Sequence, residues 1–75
     1  MSKQIVDALN AKYMASKLQA IANLQNYLSN PVGIGEHPDI VSECAKLLEQ
    51  ITDADGNLLT LRSMTESPEE LKSDQ

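Results

Sequence analysis

The sequence predicts an all-α protein that folds as an antiparallel hairpin of two helices. Two long segments with apolar residues every three or four positions flank a short segment rich in Gly and Pro. A chain of 75 residues, 41% of them hydrophobic, forms one small domain. Because a domain of this size buries only about 60% of the surface of its unfolded chain, we expect it to gain stability from a partner.

The first helix is predicted over residues 3–29, which contain no Gly or Pro and are rich in the strong helix formers Ala, Leu, Lys and Gln. It should end near Ser29, because Asn30 precedes Pro31 and the residue before a proline is disfavoured in the helical region. Spacing residues by about 100° around the axis places a wide apolar arc on one side. This arc contains Val6, Leu9, Tyr13, Met14, Leu18, Ile21, Leu24 and Leu28.

The second helix is predicted over residues 38–64, after a loop at residues 30–37. Pro38 suits the first helical position, which makes His37 the N-cap. The apolar residues at helical spacing are Val41, Cys44, Leu48, Ile51, Ala54, Leu58 and Leu61. The sequence around Gly56 alone is typical of a turn, but the apolar spacing continues through it, so we favour a continuous helix. The alternative is a kink there, followed by a short third helix.

The two helices have similar lengths, about 40 Å at about 1.5 Å per residue, and a short loop joins them, which predicts a hairpin over residues 1–64. Folding the chain about residues 33 and 34 pairs positions whose numbers sum to about 66. The predicted pairs are Val6 with Leu61, Leu9 with Leu58, Met14 with Ile51, Leu18 with Leu48, Ile21 with Cys44 or Ala45, and Leu24 with Val41. Residues 65–75 are polar and acidic, and we expect a disordered tail.

Each apolar arc is wider than one helix–helix seam requires, so we expect a dimer or larger helical bundle. Tyr13 and Tyr27 lie on one face, where their hydroxyls suit an interface with an apolar centre and a wet edge. The predicted interface residues are Tyr13, Met14, Leu18, Ile21, Tyr27, Leu48, Ile51 and Leu58.

Charge and composition favour protein contacts over binding to nucleic acid or to membranes. The formal net charge is −5, and no clustered Lys and Arg surface of the kind that phosphates require is evident. No apolar run approaches the about 18 residues of a membrane span. The N-terminal residues lack the features of a signal peptide and the single Cys forms no internal disulfide, so we expect a cytoplasmic protein.

The inventory of reactive side chains predicts neither an enzyme nor a cofactor. The only His and the only Cys, His37 and Cys44, lie seven residues apart. On a helix this spacing is about 10.5 Å, too far for the hydrogen bond that would activate the thiol. One His and one Cys cannot complete a zinc site, so no metal site is predicted.

The candidate binding residues are small or polar residues at the loop and within the apolar arcs. Two loop glycines precede a helix N-terminus, where backbone amides can hold a phosphate, although a simple tight connection is the alternative. Two opposite charges lie within the arcs, where they could pair across a subunit interface or extend to its rim. These candidates are Gly33, Gly35, His37, Lys17 and Asp55.

The segment NYLSNPVGIGEHPDI at residues 26–40, followed by an acidic amphipathic helix with Leu47, Leu48 and Ile51, resembles short uncharacterised proteins of T4-like tailed phages, marine ones among them. The resemblance covers residues 24–61, and its most specific element is the NPVGIGEHPD loop. It implies an accessory protein of a bacteriophage, made in the cytoplasm of a bacterial host, and implies no catalytic residues.

The sequence therefore predicts a small non-enzymatic accessory protein that self-associates as a helical hairpin and acts through contacts with itself and with a host or phage protein. The alternative is a sequestering protein that binds a small anionic, nucleotide-like ligand where protomers meet. The glycine loop, His37 and either Lys12 or Lys17 would then contact the ligand.

Overall fold

Two long helices make up nearly all of the described chain. In a computed structural model, which describes residues 2–29 and 39–66, α1 spans Lys3–Ser29 and α2 spans Ile40–Thr65. Side chains at the start of α1 lie near the end of α2, and those at the end of α1 lie near its start. The helices therefore pack antiparallel, which confirms the predicted all-α hairpin.

The helix boundaries follow local backbone chemistry. α1 covers the predicted residues 3–29. α2 begins two residues later than predicted, because Asp39 occupies the N-cap and its carboxylate accepts a hydrogen bond of 2.9 Å from the Ser42 backbone N–H. Asp is one of the strongest N-cap residues, so the assignment of the N-cap to His37 was wrong.

α2 continues without a break through Gly56, as its continuous apolar spacing predicts. No glycine in the described ranges has a positive φ, and a Cβ built on Gly56 meets no atom within 4 Å. The alternative of a kink with a short third helix is therefore wrong.

The predicted loop at residues 30–37 lies outside the described residues, as does the predicted tail from residue 67 onward. The first residue of that predicted tail, Thr65, is instead the last residue of α2. Its hydroxyl donates to the Leu61 carbonyl at 3.0 Å, and the Glu66 backbone N–H donates to the Arg62 carbonyl at 3.0 Å. These bonds satisfy the final turn of the helix.

The seam between α1 and α2 is narrow. Its side chains step alternately by three and four positions, a seven-residue period that keeps them facing one partner helix. In the described ranges the buried residues are Ala20, Ala54 and Leu61. The half-buried apolar residues are Val6, Leu9, Tyr13, Ile21, Leu24 and Tyr27 on α1, and Ile40, Cys44, Leu47, Ile51 and Leu58 on α2. Small side chains at the centre of the seam let the two backbones approach closely.

Several apolar residues predicted to pair within the seam lie outside it. Leu18 and Leu48, predicted to face each other, are 57% and 56% exposed. Val41, predicted to face Leu24, is 80% exposed, and Leu28 is exposed as well. The reason is geometric: one partner helix covers only about 100° of a helix surface, and these residues lie on the uncovered flank of the arc.

We predict that Gly56→Ala stabilises the hairpin by about 0.5 to 1 kcal/mol, because Ala is the better helix former and a Cβ at this position meets open space. Chemical denaturation monitored by circular dichroism measures the change. The matched control is Ala45→Gly at another exposed position of α2, which should lower stability by a similar amount. A lower stability of Gly56→Ala would contradict a continuous helix.

Candidate functional site

Polar contacts join α1 to α2 across the seam. Gln50 Nε2 donates to the Ser16 carbonyl oxygen at 3.1 Å and lies 3.2 Å from Ser16 Oγ. Lys17 Nζ lies 2.7 Å from Asp55 Oδ1. The numbers of Ser16 and Gln50 sum to 66, so their contact has the register expected from folding the chain about its loop.

Apolar spacing alone does not predict the Ser16–Gln50 contact, because both residues are polar. On α1, Ser16 fills the step of the three-four repeat between Tyr13 and Ala20, and on α2 Gln50 lies directly beside Ile51 of that repeat. The signal in the sequence is a pair of polar residues at positions that face each other when the chain is folded about its loop. Sliding one helix by a turn would leave the part-buried Gln50 amide without this partner, which disfavours the neighbouring registers.

The two contacts close the seam on opposite sides. Lys17 follows Ser16 directly, so the two side chains diverge by about 100° around α1. The same holds on α2, where Asp55 follows Gln50 by five positions, about 140° around the axis. The hairpin is a layer two helices wide, with the Ser16–Gln50 hydrogen bond on one side and the Lys17–Asp55 ion pair on the other.

Exposed apolar side chains line the side of the hairpin that carries the ion pair. On α2, Val41 and Leu48 precede Asp55 at intervals of seven residues and share its side of the helix. On α1, the exposed Met14 and Leu28 lie seven residues on either side of the half-buried Ile21, and Leu18 lies next to Lys17 on the same side. The ion pair places both stripes on the same side. We call this surface the apolar face: Met14, Leu18, Ile21, Leu28, Val41 and Leu48.

Beyond the Lys17–Asp55 pair, toward the chain ends, this side of the hairpin carries two further ion pairs beside the exposed side chains of Met14 and Leu59. Lys3 lies fourteen residues before Lys17 on the same side of α1, and its ammonium is 3.0 Å from the Asp7 carboxylate. Arg62 lies seven residues after Asp55 on the same side of α2 and pairs with Glu66. The half of this side near the loop is therefore apolar, and the half near the termini combines ion pairs with Met14 and Leu59; we call them the apolar half and the charged half.

The opposite side, which we call the polar face, is lined by amides and charges. Around the Ser16–Gln50 contact the groove is formed by Tyr13, Lys46, Glu49, Asp53 and Asn57. Nearer the loop it is formed by Asn23, Asn26, Tyr27, Glu43 and Leu47. Within residues 2–29 and 39–66, no group of His, Cys, Asp and Glu side chains is arranged to hold a metal ion.

The predicted site residues divide into three groups. Gly33, Gly35 and His37 lie outside the described residues. The predicted interface residues that line the seam are half-buried: Tyr13, Ile21, Tyr27, Ile51 and Leu58. The other three predicted interface residues, Met14, Leu18 and Leu48, are exposed on the apolar face.

Lys17 and Asp55, for which the sequence left open pairing across a subunit interface or extension to its rim, pair within one chain. The ion pair forms there because both residues lie at the same edge of the seam, where a lysine side chain spans the gap between the helices. Their side chains are 30% and 51% exposed, so the pair also remains open to a further neighbour.

Comparison of the chain with protein families, curated proteins and solved structures found no match. Neither described helix is long and apolar enough to cross a membrane.

We predict that Lys17→Asp destabilises the hairpin by about 1 kcal/mol, because it sets two carboxylates against each other, and that Lys17→Asp with Asp55→Lys restores most of the loss. The loss should shrink in about 1 M salt, where exposed charges are screened. Denaturation of the single and double variants measures both effects. The control is the same exchange at the more exposed Lys3 and Asp7, where we expect a smaller coupling. Additive single effects at Lys17 and Asp55 would contradict a direct pair.

Proposed function

We propose that this chain is a small non-enzymatic protein that self-associates as a helical hairpin and acts through protein–protein contacts. The observation that carries the proposal is the shortage of buried side chains. In the described ranges only two alanines and one leucine are buried, whereas eight large apolar residues are 43% to 80% exposed. Exposed apolar surface concentrated on one side is typical of an interaction site.

The energetics of burial support association. Helices in proteins gain most of their stability from packing, and ordering each residue costs about 1 to 2 kcal/mol of backbone entropy. Full burial of a Val, Leu or Met side chain contributes about 1.5 to 3 kcal/mol. Covering the five most exposed residues of the apolar face would therefore contribute on the order of 5 to 9 kcal/mol, comparable to the net stability of a small domain.

The non-enzymatic part of the proposal rests on the chain's inventory of reactive side chains, which includes a single His and a single Cys. The resemblance of residues 26–40 to proteins of T4-like phages supports an accessory role in an infected bacterial cell. A host or phage protein would then be a further partner of the assembled hairpins.

The alternative of a nucleotide-like ligand at a protomer interface is less favoured by the described contacts. Lys17, one of its proposed ligand contacts, already pairs with Asp55 at 2.7 Å. Lys12 lies 5.9 Å from the ring centre of Tyr13. We expect nucleotides to leave the melting temperature unchanged, whereas a bound ligand at about 100 times its Kd would add about 2.7 kcal/mol of stability.

We predict that sedimentation equilibrium at micromolar concentrations gives a mass that is a multiple of the chain mass. Leu18→Asp places a charge on the apolar face, and burying an unpaired carboxylate against hydrocarbon is unfavourable. We therefore expect this variant to have the mass of one chain or to be unfolded. A well-folded monomer at high concentration of the unaltered protein would contradict the proposed self-association.

A further inference from the structure

We infer that a second copy of this chain covers the apolar face in a face-to-face four-helix arrangement, with both loops at the same end and α1 of each copy over α2 of the other. The inference rests on the proposed self-association and specifies its surface and geometry. It follows from the size of the face, the division of that face into an apolar and a charged half, and the order of charges along it.

The size of the face shows how much overlap a stable dimer needs. One side of the hairpin is about 40 Å long, for 27 residues in α1, and about 20 Å wide, for two helices. Its area is therefore about 800 Å², which is what each partner contributes to an interface of standard size. The apolar half alone supplies about half of this, so the two hairpins must overlap along their whole length.

The division of the face selects the direction of the second copy. If the two hairpins ran in opposite directions, the apolar half of each would lie against the charged half of the other, which carries Lys3, Asp7 and Arg62. Burying these charges against hydrocarbon is unfavourable. If both loops lie at the same end, the apolar halves meet each other and the charged halves meet at the rim.

The order of charges is then self-complementary. A twofold axis parallel to the helices places α1 of one copy over α2 of the other. Lys17 therefore faces the helix that carries Asp55 of the second copy, and the half-exposed Asp55 carboxylate has room for this second ammonium. Near the termini, the Lys3–Asp7 pair of one copy faces the Arg62–Glu66 pair of the other.

Of the other exposed apolar residues, Leu59 lies eleven residues after Leu48 and so on the same side of α2, within the charged half, whereas Ile5 and Met64 lie on the opposite side of the hairpin. Ile5 lies eleven residues before Ser16, about three turns along α1, and so belongs to the polar face. Met64 lies seven residues after Asn57, which lines the groove of that face. A dimer through the polar face would also bring Glu49 and Asp53 of each copy together.

Truncation of the apolar face tests the surface. Leu18→Ala and Leu48→Ala keep a strong helix former at each position and should each raise the dimer Kd at least tenfold, because each removes apolar contact twice in a twofold dimer. The matched control is Ile5→Ala: Ile5 is 57% exposed, as is Leu18, but lies on the other side of the hairpin. It should change the Kd less than twofold.

Distances between spin labels test the arrangement. With Cys44→Ala as background, a label at Ser29→Cys should lie on the order of 20 Å from its equivalent in the second copy, as should a label at Ser2→Cys. Hairpins in opposite directions would separate both label pairs by about 40 Å or more.

The outcomes separate this inference from the proposed function. A monomeric unaltered protein would overturn both. If the protein is a dimer but Leu18→Ala and Leu48→Ala change its Kd as little as Ile5→Ala does, only the assignment of the apolar face is overturned. A dimer that is weakened by both leucine variants but shows label distances of about 40 Å would overturn the shared direction of the loops.

Discussion

A single helix–helix seam covers about 100° of each helix surface, and this limit determines which apolar side chains of the hairpin are covered. The seam is occupied by a three-four repeat centred on Ala20 and Ala54, which are small enough for close approach of the backbones. The apolar arcs extend past the seam on one side only, so leucine, methionine and valine side chains of both helices emerge there together. The hairpin therefore resembles one layer of a bundle: it is apolar on one side and polar on the other.

The two cross-helix contacts define the edges of this layer and its register. Each is worth little by itself, since a net hydrogen bond contributes about 0.5 to 1.5 kcal/mol and an exposed ion pair about 0 to 1 kcal/mol. Their effect is to disfavour other registers, because a displaced helix would leave Gln50 and Lys17 without their partners. The ion pair has a second consequence: it marks the boundary between the apolar and the charged half of one face.

Most of the fold could be predicted because its signals are local. Proline next to Asn30 limits α1, and uninterrupted apolar spacing carries α2 through Gly56. The N-cap at Asp39 was missed because Pro38 at the first helical position and an aspartate cap are competing local preferences that differ by only about 1 kcal/mol. That choice depends on the surrounding backbone.

The candidate site was harder to predict, because periodicity locates an apolar arc but does not say which part of it meets the other helix. The part of the arc that meets the other helix is set by the small side chains Ala20 and Ala54 and by the Ser16–Gln50 contact. Small and polar residues contribute little to an apolar pattern. Leu18 and Leu48 were accordingly placed in the seam although they lie on the uncovered flank. Lys17 and Asp55 stood out in the sequence as charges within apolar arcs, and they do lie where the two helices and the apolar face meet.

The most direct test of the account is the dependence of the thermal unfolding midpoint on protein concentration, followed by circular dichroism over about a hundredfold range. If the hairpin is stabilised by association through its apolar face, the midpoint should rise by several degrees with concentration, because binding that is specific to the folded state stabilises it by mass action. A midpoint that stays constant across this range, with full helicity at the lowest concentration, would show that the single seam suffices and would contradict the account.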